Sequence, residues 1–177
     1  MRLILLLCLG LVSLFSLNGC EKTEEMSTIP GSEAGFDRIG TFFKPVQADS
    51  TGPTKLVYVP VYSRLFLSKD SFWEMGTTLS IRNTDPDQSL YVYEIDYFDT
   101  AGDLIERFLG EPHELQPMAT VTLTLPQWDK RGGSGANFLV RWSGDADINN
   151  PIIEVVMAGT RGQQSFSFIR PGQEIVE

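Results

Sequence analysis

From Ala119 to Pro126 the chain reads ATVTLTLP. Val121, Leu123 and Leu125 fall on one side of an extended chain and Thr120, Thr122 and Thr124 on the other, a period of two that a helix cannot bury on one face. The same pattern recurs. NFLVRW sets Phe138, Val140 and Trp142 against Asn137, Leu139 and Arg141, TTLSIRN places Leu79 with Ile81, and SFSFI pairs Phe166 with Phe168. LYVYEIDYFDTAGDLIERFL predicts a hairpin: Tyr91, Tyr93, Ile95 and Tyr97 share a face, Asp99 to Asp103 turns the chain, and Leu104 to Leu109 returns. Gly102 can supply the positive φ of that turn. Further strands are expected at Lys55 to Tyr62, where Pro60 argues for an edge, and at Ile152 to Ala158. About eight short strands separated by Gly, Pro, Asn and Asp predict an all-β fold, an antiparallel β-sandwich of immunoglobulin-like type, with a small β-barrel as the alternative. Trp73 and Trp142 lie in strand-like stretches and are expected in the core.

The first residues obey a different rule. Leu3 to Leu17 is apolar behind Arg2, too short to span a bilayer but long enough for a signal-peptide core. It ends in Leu17-Asn18-Gly19-Cys20, which resembles the lipobox of bacterial lipoproteins, with Asn18 a less usual residue in that motif. The resemblance implies cleavage before Cys20 and lipidation of its sulfur. Of the two cysteines, Cys8 would leave with the leader, so the mature chain would keep neither a free thiol nor a disulfide. One acyl chain holds a protein only marginally, and the several chains of a lipoprotein anchor would hold it firmly. The expected organisation is a signal peptide over 1–19, lipidated Cys20 and a flexible tether over 20–54, and a β-sandwich domain over 55–177. The apolar FDRIGTFF, Phe36 to Phe43, is short enough to dock on that domain. The implied location is the bacterial envelope, facing periplasm or exterior; Glu21 favours the outer membrane where a cell has one.

The formal charge of −9 repels nucleic acid and anionic head groups, so nucleic-acid binding is excluded and the membrane is expected as a partner through the lipid alone.

YVPVYS (Tyr58 to Ser63), LSIRNTDP (Leu79 to Pro86), DYFDTAGDLI (Asp96 to Ile105), GGSGANFLVRW (Gly132 to Trp142) and PIIEVVMAGT (Pro151 to Thr160) follow one another along the folded part. Together they resemble an uncharacterised bacterial family, domain of unknown function 3124. The resemblance implies no activity and carries over no catalytic residue.

Candidate chemistry is sparse. GGSGA, Gly132 to Ala136, offers Ser134, but a nucleophile elbow needs Gly where Ala136 stands and a helix where a strand is predicted. The single histidine, His113, follows Pro112 in an expected loop. Zinc lacks ligands, and the glycines lack the Gly-Lys-Ser/Thr ending of a phosphate loop. DADINN aims Asp145, Asp147 and Asn149 at a calcium-like spacing, yet Asn150 stands where the Gly is needed and Val156 where the closing Glu is needed; a solvated Asx-rich turn is the plainer reading. Glu94 and Asp96 alternate with tyrosines as an outward polar face. Trp128 and Arg131, in PQWDKRGGSG, are the candidate ligand contacts, suited to a sugar or peptide, unless Trp128 folds back as a lid on the core. No cofactor is expected. The expected function is a noncatalytic binding or accessory module contacting an envelope protein or polymer; the alternatives are an enzyme on an envelope polymer and a structural component.

Overall fold

The computed structural model describes residues 35–37, 40–47 and 52–176. The expected leader, Cys20 and most of the expected tether lie outside them. Among the described residues all regular structure is β: β1 Gly35–Asp37, β2 Phe43–Pro45, β3 Lys55–Val61, β4 Arg64–Ser68, β5 Ser71–Glu74, β6 Gly76–Arg82, β7 Leu90–Phe98, β8 Leu104–Leu109, β9 His113–Leu115, β10 Thr120–Leu125, β11 Ala136–Ser143, β12 Ile152–Arg161, β13 Gln164–Pro171 and β14 Gln173–Ile175. A five-stranded sheet runs β1-β10-β6-β12-β13, and a seven-stranded sheet runs β14-β3-β11-β7-β9-β2 with β8 also on β7. The β4–β5 hairpin stands as a sheet of its own. Every pairing is antiparallel and neither large sheet closes on itself, so the fold is a β-sandwich and not the barrel alternative.

Alternation and register together build the core. In the smaller sheet Val121, Ile81 and Ile153 form one cross-strand row, and Leu123, Leu79 and Val155 the next. The larger sheet answers with Val59, Phe138 and Tyr97, then Val57, Val140 and Ile95. All of these are buried, and each side chain so removed from water contributes roughly 1.5–3 kcal/mol.

The β7–β8 hairpin forms where predicted, closed by Asp99 N–H on the Asp103 carbonyl at 2.9 Å, with Gly102 at φ 88°. Its facing needs correction. Arg141 pairs with Glu94 but Trp142 pairs with Val92, so Tyr93 is an extra residue and the alternation inverts across this bulge. Leu90, Val92, Ile95 and Tyr97 are buried, while Tyr91 and Tyr93 lie on the opposite face, Tyr93 Oη 3.0 Å from Ser143 Oγ. A one-residue bulge leaves no mark on composition.

The expected boundary at residue 55 also moves. β1 pairs with β10 and β2 with β9, so residues assigned to the tether are strands of the two sheets. Phe43 is fully buried, its ring 4.8 Å from that of His113 and 5.8 Å from Phe36. Three-residue strands are too short to show a period, and only their distant partners define them.

Candidate functional site

The β4–β5 hairpin, RLFLSKDSFWE, leaves the sandwich between β3 and β6, its base closed by Met75 N–H on the Ser63 carbonyl at 3.0 Å. Its tip turns at Lys69-Asp70 and exposes apolar side chains, Phe66 at 51% and Leu67 at 62%. Phe66 meets Phe72 edge-on at 5.6 Å.

Strand β13 faces this hairpin from the margin of the five-stranded sheet. Gly159 pairs with Phe166 and buried Met157 with Phe168, so both phenylalanines point inward. Among the described strands the larger sheet has only the three-residue β14 beyond β3, and no longer strand on that side. The hairpin substitutes for it: Trp73 packs perpendicular to Phe166 at 6.3 Å, Phe166 to Phe168 at 5.6 Å, and Tyr62 to Phe168 at 6.0 Å. The cover is incomplete, and Phe166 remains 44% exposed.

A groove of about 360 Å³ lies along this seam, lined by Leu65, Leu67, Trp73, Gln164, Ser165 and Phe166. Trp73 also walls a polar cleft of about 330 Å³ that includes Asp70, Glu74, Gln127 and Arg161. Glu74 there is held by Lys130 at 2.8 Å. On its other side β13 has no partner among the described strands, leaving an eight-residue edge with free backbone hydrogen-bonding groups. Of the other sheet margins β1, β2 and β14 are three residues each, β8 is six, and the hairpin strands β4 and β5 are five and four. Trp73, expected in the core, is half-buried on this groove; Trp142 is buried as expected.

Trp128 is 64% exposed, on a turn closed by Asp129 N–H to the Pro126 carbonyl, and does not fold back. Arg131 shares that loop but is already engaged, by Asp129 at 2.8 Å and Glu106 at 2.8 Å. Hydrogen bonds to Asp129 lead in pushing its guanidinium further up. Burial raises Asp129, and the hydrogen bonds from Arg131 outweigh it, leaving the carboxyl below its usual range.

Ser134 and His113 do not meet. His113 pairs with Val92 near the start of β7, whereas the Gly132–Gly135 loop meets Thr100 just beyond the end of that strand, about 25 Å away at 3.3 Å per residue. His113 Nδ1 lies 3.1 Å from the Glu111 carbonyl instead.

The DADINN loop is built on a carboxylate that the spacing does not include. Asp85 accepts N–H groups from Asp87 at 2.9 Å, Gln88 at 2.8 Å and Asn149 at 3.0 Å. Asn149 leads in drawing that carboxyl below its usual value, followed by Asp87 and Gln88. Asp147 accepts from Gln88 Nε2 at 3.1 Å, while Asp145 and Asp147 lie on the surface. Among the described residues no three His, Cys, Asp or Glu side chains group to hold a metal.

The sequence model of a family of proteins of unknown function, DUF3124, matches residues 54–175. The chain belongs to that family. The expected likeness thereby stands, and DUF3124 spans all but the first two strands of the sandwich. No curated protein matches the sequence. The crystal structure of Thermotoga maritima 1070 is similar at 11% identity and a TM-score of 0.44, over 70% of this chain and 95% of that one.

Proposed function

We propose that this DUF3124 protein is a noncatalytic binding module of the bacterial cell envelope, anchored through acyl chains on Cys20, and that it holds its partner in the groove between the β4–β5 hairpin and β13. The groove supports this reading because it joins an aromatic wall, Trp73 and Phe166, to an unpartnered strand edge. Aromatic walls supply contact area at small entropic cost, and a free edge supplies directed hydrogen bonds. Trp128, exposed on the adjoining loop beside Gln127, extends the contact surface.

A photo-crosslinking residue placed at Phe166 in cells of the native host tests this, with Leu104, exposed on the β7–β8 hairpin, as the control. An adduct at 166, absent at 104 and lost with W73A, is expected. Equal adducts at both positions, or turnover of an envelope polymer abolished by D70N or E74Q, would replace the reading. The anchor is tested separately: mass spectrometry should find Cys20 acylated at the N-terminus, and C20S should release the protein from membranes. An unmodified Cys20 behind an intact leader would remove the anchor from the proposal.

A further inference from the structure

The basic side chains are unevenly placed. Lys44, Lys55, Arg82, Arg107, Lys130, Arg131 and Arg141 each pair with a carboxylate. Among the described residues those without an ion pair are Arg64, Lys69, Arg161 and Arg170, of which Arg161 pairs with the groove's Gln164 and Arg170 shares the β13 face of Phe166 and Phe168. Arg64 and Lys69 sit on the hairpin, Arg161 ends β12, and Arg170 lies near the end of β13. The Arg64 guanidinium lies 5.1 Å over the Phe72 ring, its Nε buried with no acceptor among the described residues. Asp70 and Glu74 line the neighbouring cleft with Arg161, so on a chain of formal charge −9 the unpaired positive charge along this edge rests on Arg161 and Arg170.

We infer that the groove takes an extended, acidic polypeptide segment, which adds to the five-stranded sheet as a strand on the outer edge of β13. The inference rests on the binding-module reading. An added strand would bring every second side chain onto the inward face beside Phe166 and Phe168, so one bulky apolar residue fills the slot next to Trp73. Gln164, which pairs with Arg161, and Arg170 are separated by about 20 Å of strand at 3.3 Å per residue. Carboxylates within about four residues on either side of the apolar anchor therefore reach both guanidiniums.

Two other occupants fit less well. A second copy pairing through β13 brings more arginine to the seam and no acid, because Gln164–Pro171 contains neither Asp nor Glu. A bilayer would bury the free N–H and C=O groups of β13 in hydrocarbon, where each costs several kcal/mol, and would bridge over a concave slot.

The test uses the full-length protein in detergent and a nine-residue probe with central Thr-Phe-Thr and three Glu at each end. Saturable binding with slowed amide exchange along β13 is expected. Replacing all Glu by Lys, or N-methylating the three central amides, should weaken binding at least tenfold. The R161E/R170E protein should invert the preference and take the lysine probe, an outcome that unfolded protein could not give. Equal binding of both probe charges, or indifference to N-methylation, would overturn the inference. So would binding of phosphatidylglycerol vesicles by C20S protein that depends on Phe66 and Leu67, or a dimer in sedimentation that itself protects β13. Trp73-dependent adducts at Phe166 in cells, with no probe bound, would remove this inference and leave the groove's role standing.

Discussion

Arg107 grips Asp96 through two parallel hydrogen bonds, Nε to Oδ1 and Nη2 to Oδ2, each 2.7 Å, where the two residues face each other across β7 and β8. Asp96 is only 2% exposed although its strand face is the outward one. Glu94 joins the cluster, 3.5 Å from Arg107 and 3.2 Å from Arg141. The outward polar face is therefore an ion network that covers its own carboxylate.

Acid unfolding should report this pair. Burial pushes Asp96 up, but the hydrogen bonds and charge of Arg107 outweigh it and hold the carboxyl below its ordinary value. Its contribution is present above the unfolded pKa of about 3.9 and lost as pH falls through the lower folded value. In R107A burial acts with less opposition and the sign reverses: the melting temperature should fall at pH 7 and partly recover toward pH 4, as Asp96 becomes neutral. Adding D96N to R107A should abolish that recovery. Thermal melts between pH 3 and 8 decide it, and a flat profile for R107A would contradict the account.

The Asp85 clamp ties the 83–88 and 145–150 turns together. D85A should lower the melting temperature at pH 7 and speed amide exchange at Gln88 and Asn149, while leaving exchange in β11 slow. Because the folded Asp85 carboxyl lies below its usual range, chiefly through the Asn149 N–H, the difference from wild type should be full above about pH 4 and fade on acidification. Exchange measured by NMR or mass spectrometry checks both parts. Added calcium should change neither.

Gly132 has a steric role for which nothing comparable is seen at Ser134. A Cβ there would stand 1.9 Å from Tyr97 Oη and 2.6 Å from the Ala136 Cβ, and that hydroxyl is held 3.1 Å from Ser63 Oγ inside the core. G132A should cost about 1–3 kcal/mol, a typical penalty for overpacking. S134A should stay within about 0.5 kcal/mol of wild type. Denaturant melts test the pair; labelling of Ser134 by a serine-directed phosphonate would instead favour a nucleophile.

Phe43 tests where the domain begins. Its buried contact with His113 and Phe36 predicts a loss of about 3–5 kcal/mol for F43A. An unchanged denaturation midpoint would return β2 to the tether.

Much of this fold was legible residue by residue. Val121, Leu123 and Leu125 share a buried face because strand geometry alone forces them to, and Gly102 marks its turn through a backbone angle that few other residues adopt. The groove was harder to read. RLFLSKDSFWE carries apolar residues around a Lys-Asp turn, which is a hairpin signal, but nothing local says that the hairpin stands apart from both sheets. Phe166 and Phe168 form an ordinary strand pattern, and their partial exposure follows only from β13 being last in its sheet.

By itself the amino-acid order determined the all-β class, most strands and turns and the acidic charge, because period, turn chemistry and charge are properties of neighbours in the chain. Tertiary structure alone decided the sheet order, the bulge at Tyr93, the burial of Asp96 beneath Arg107, and the packing of Trp73 against Phe166 along one apolar slot. Those depend on which distant strands pair and which is left at the margin, a choice made by the packing of the whole core and written in no single segment.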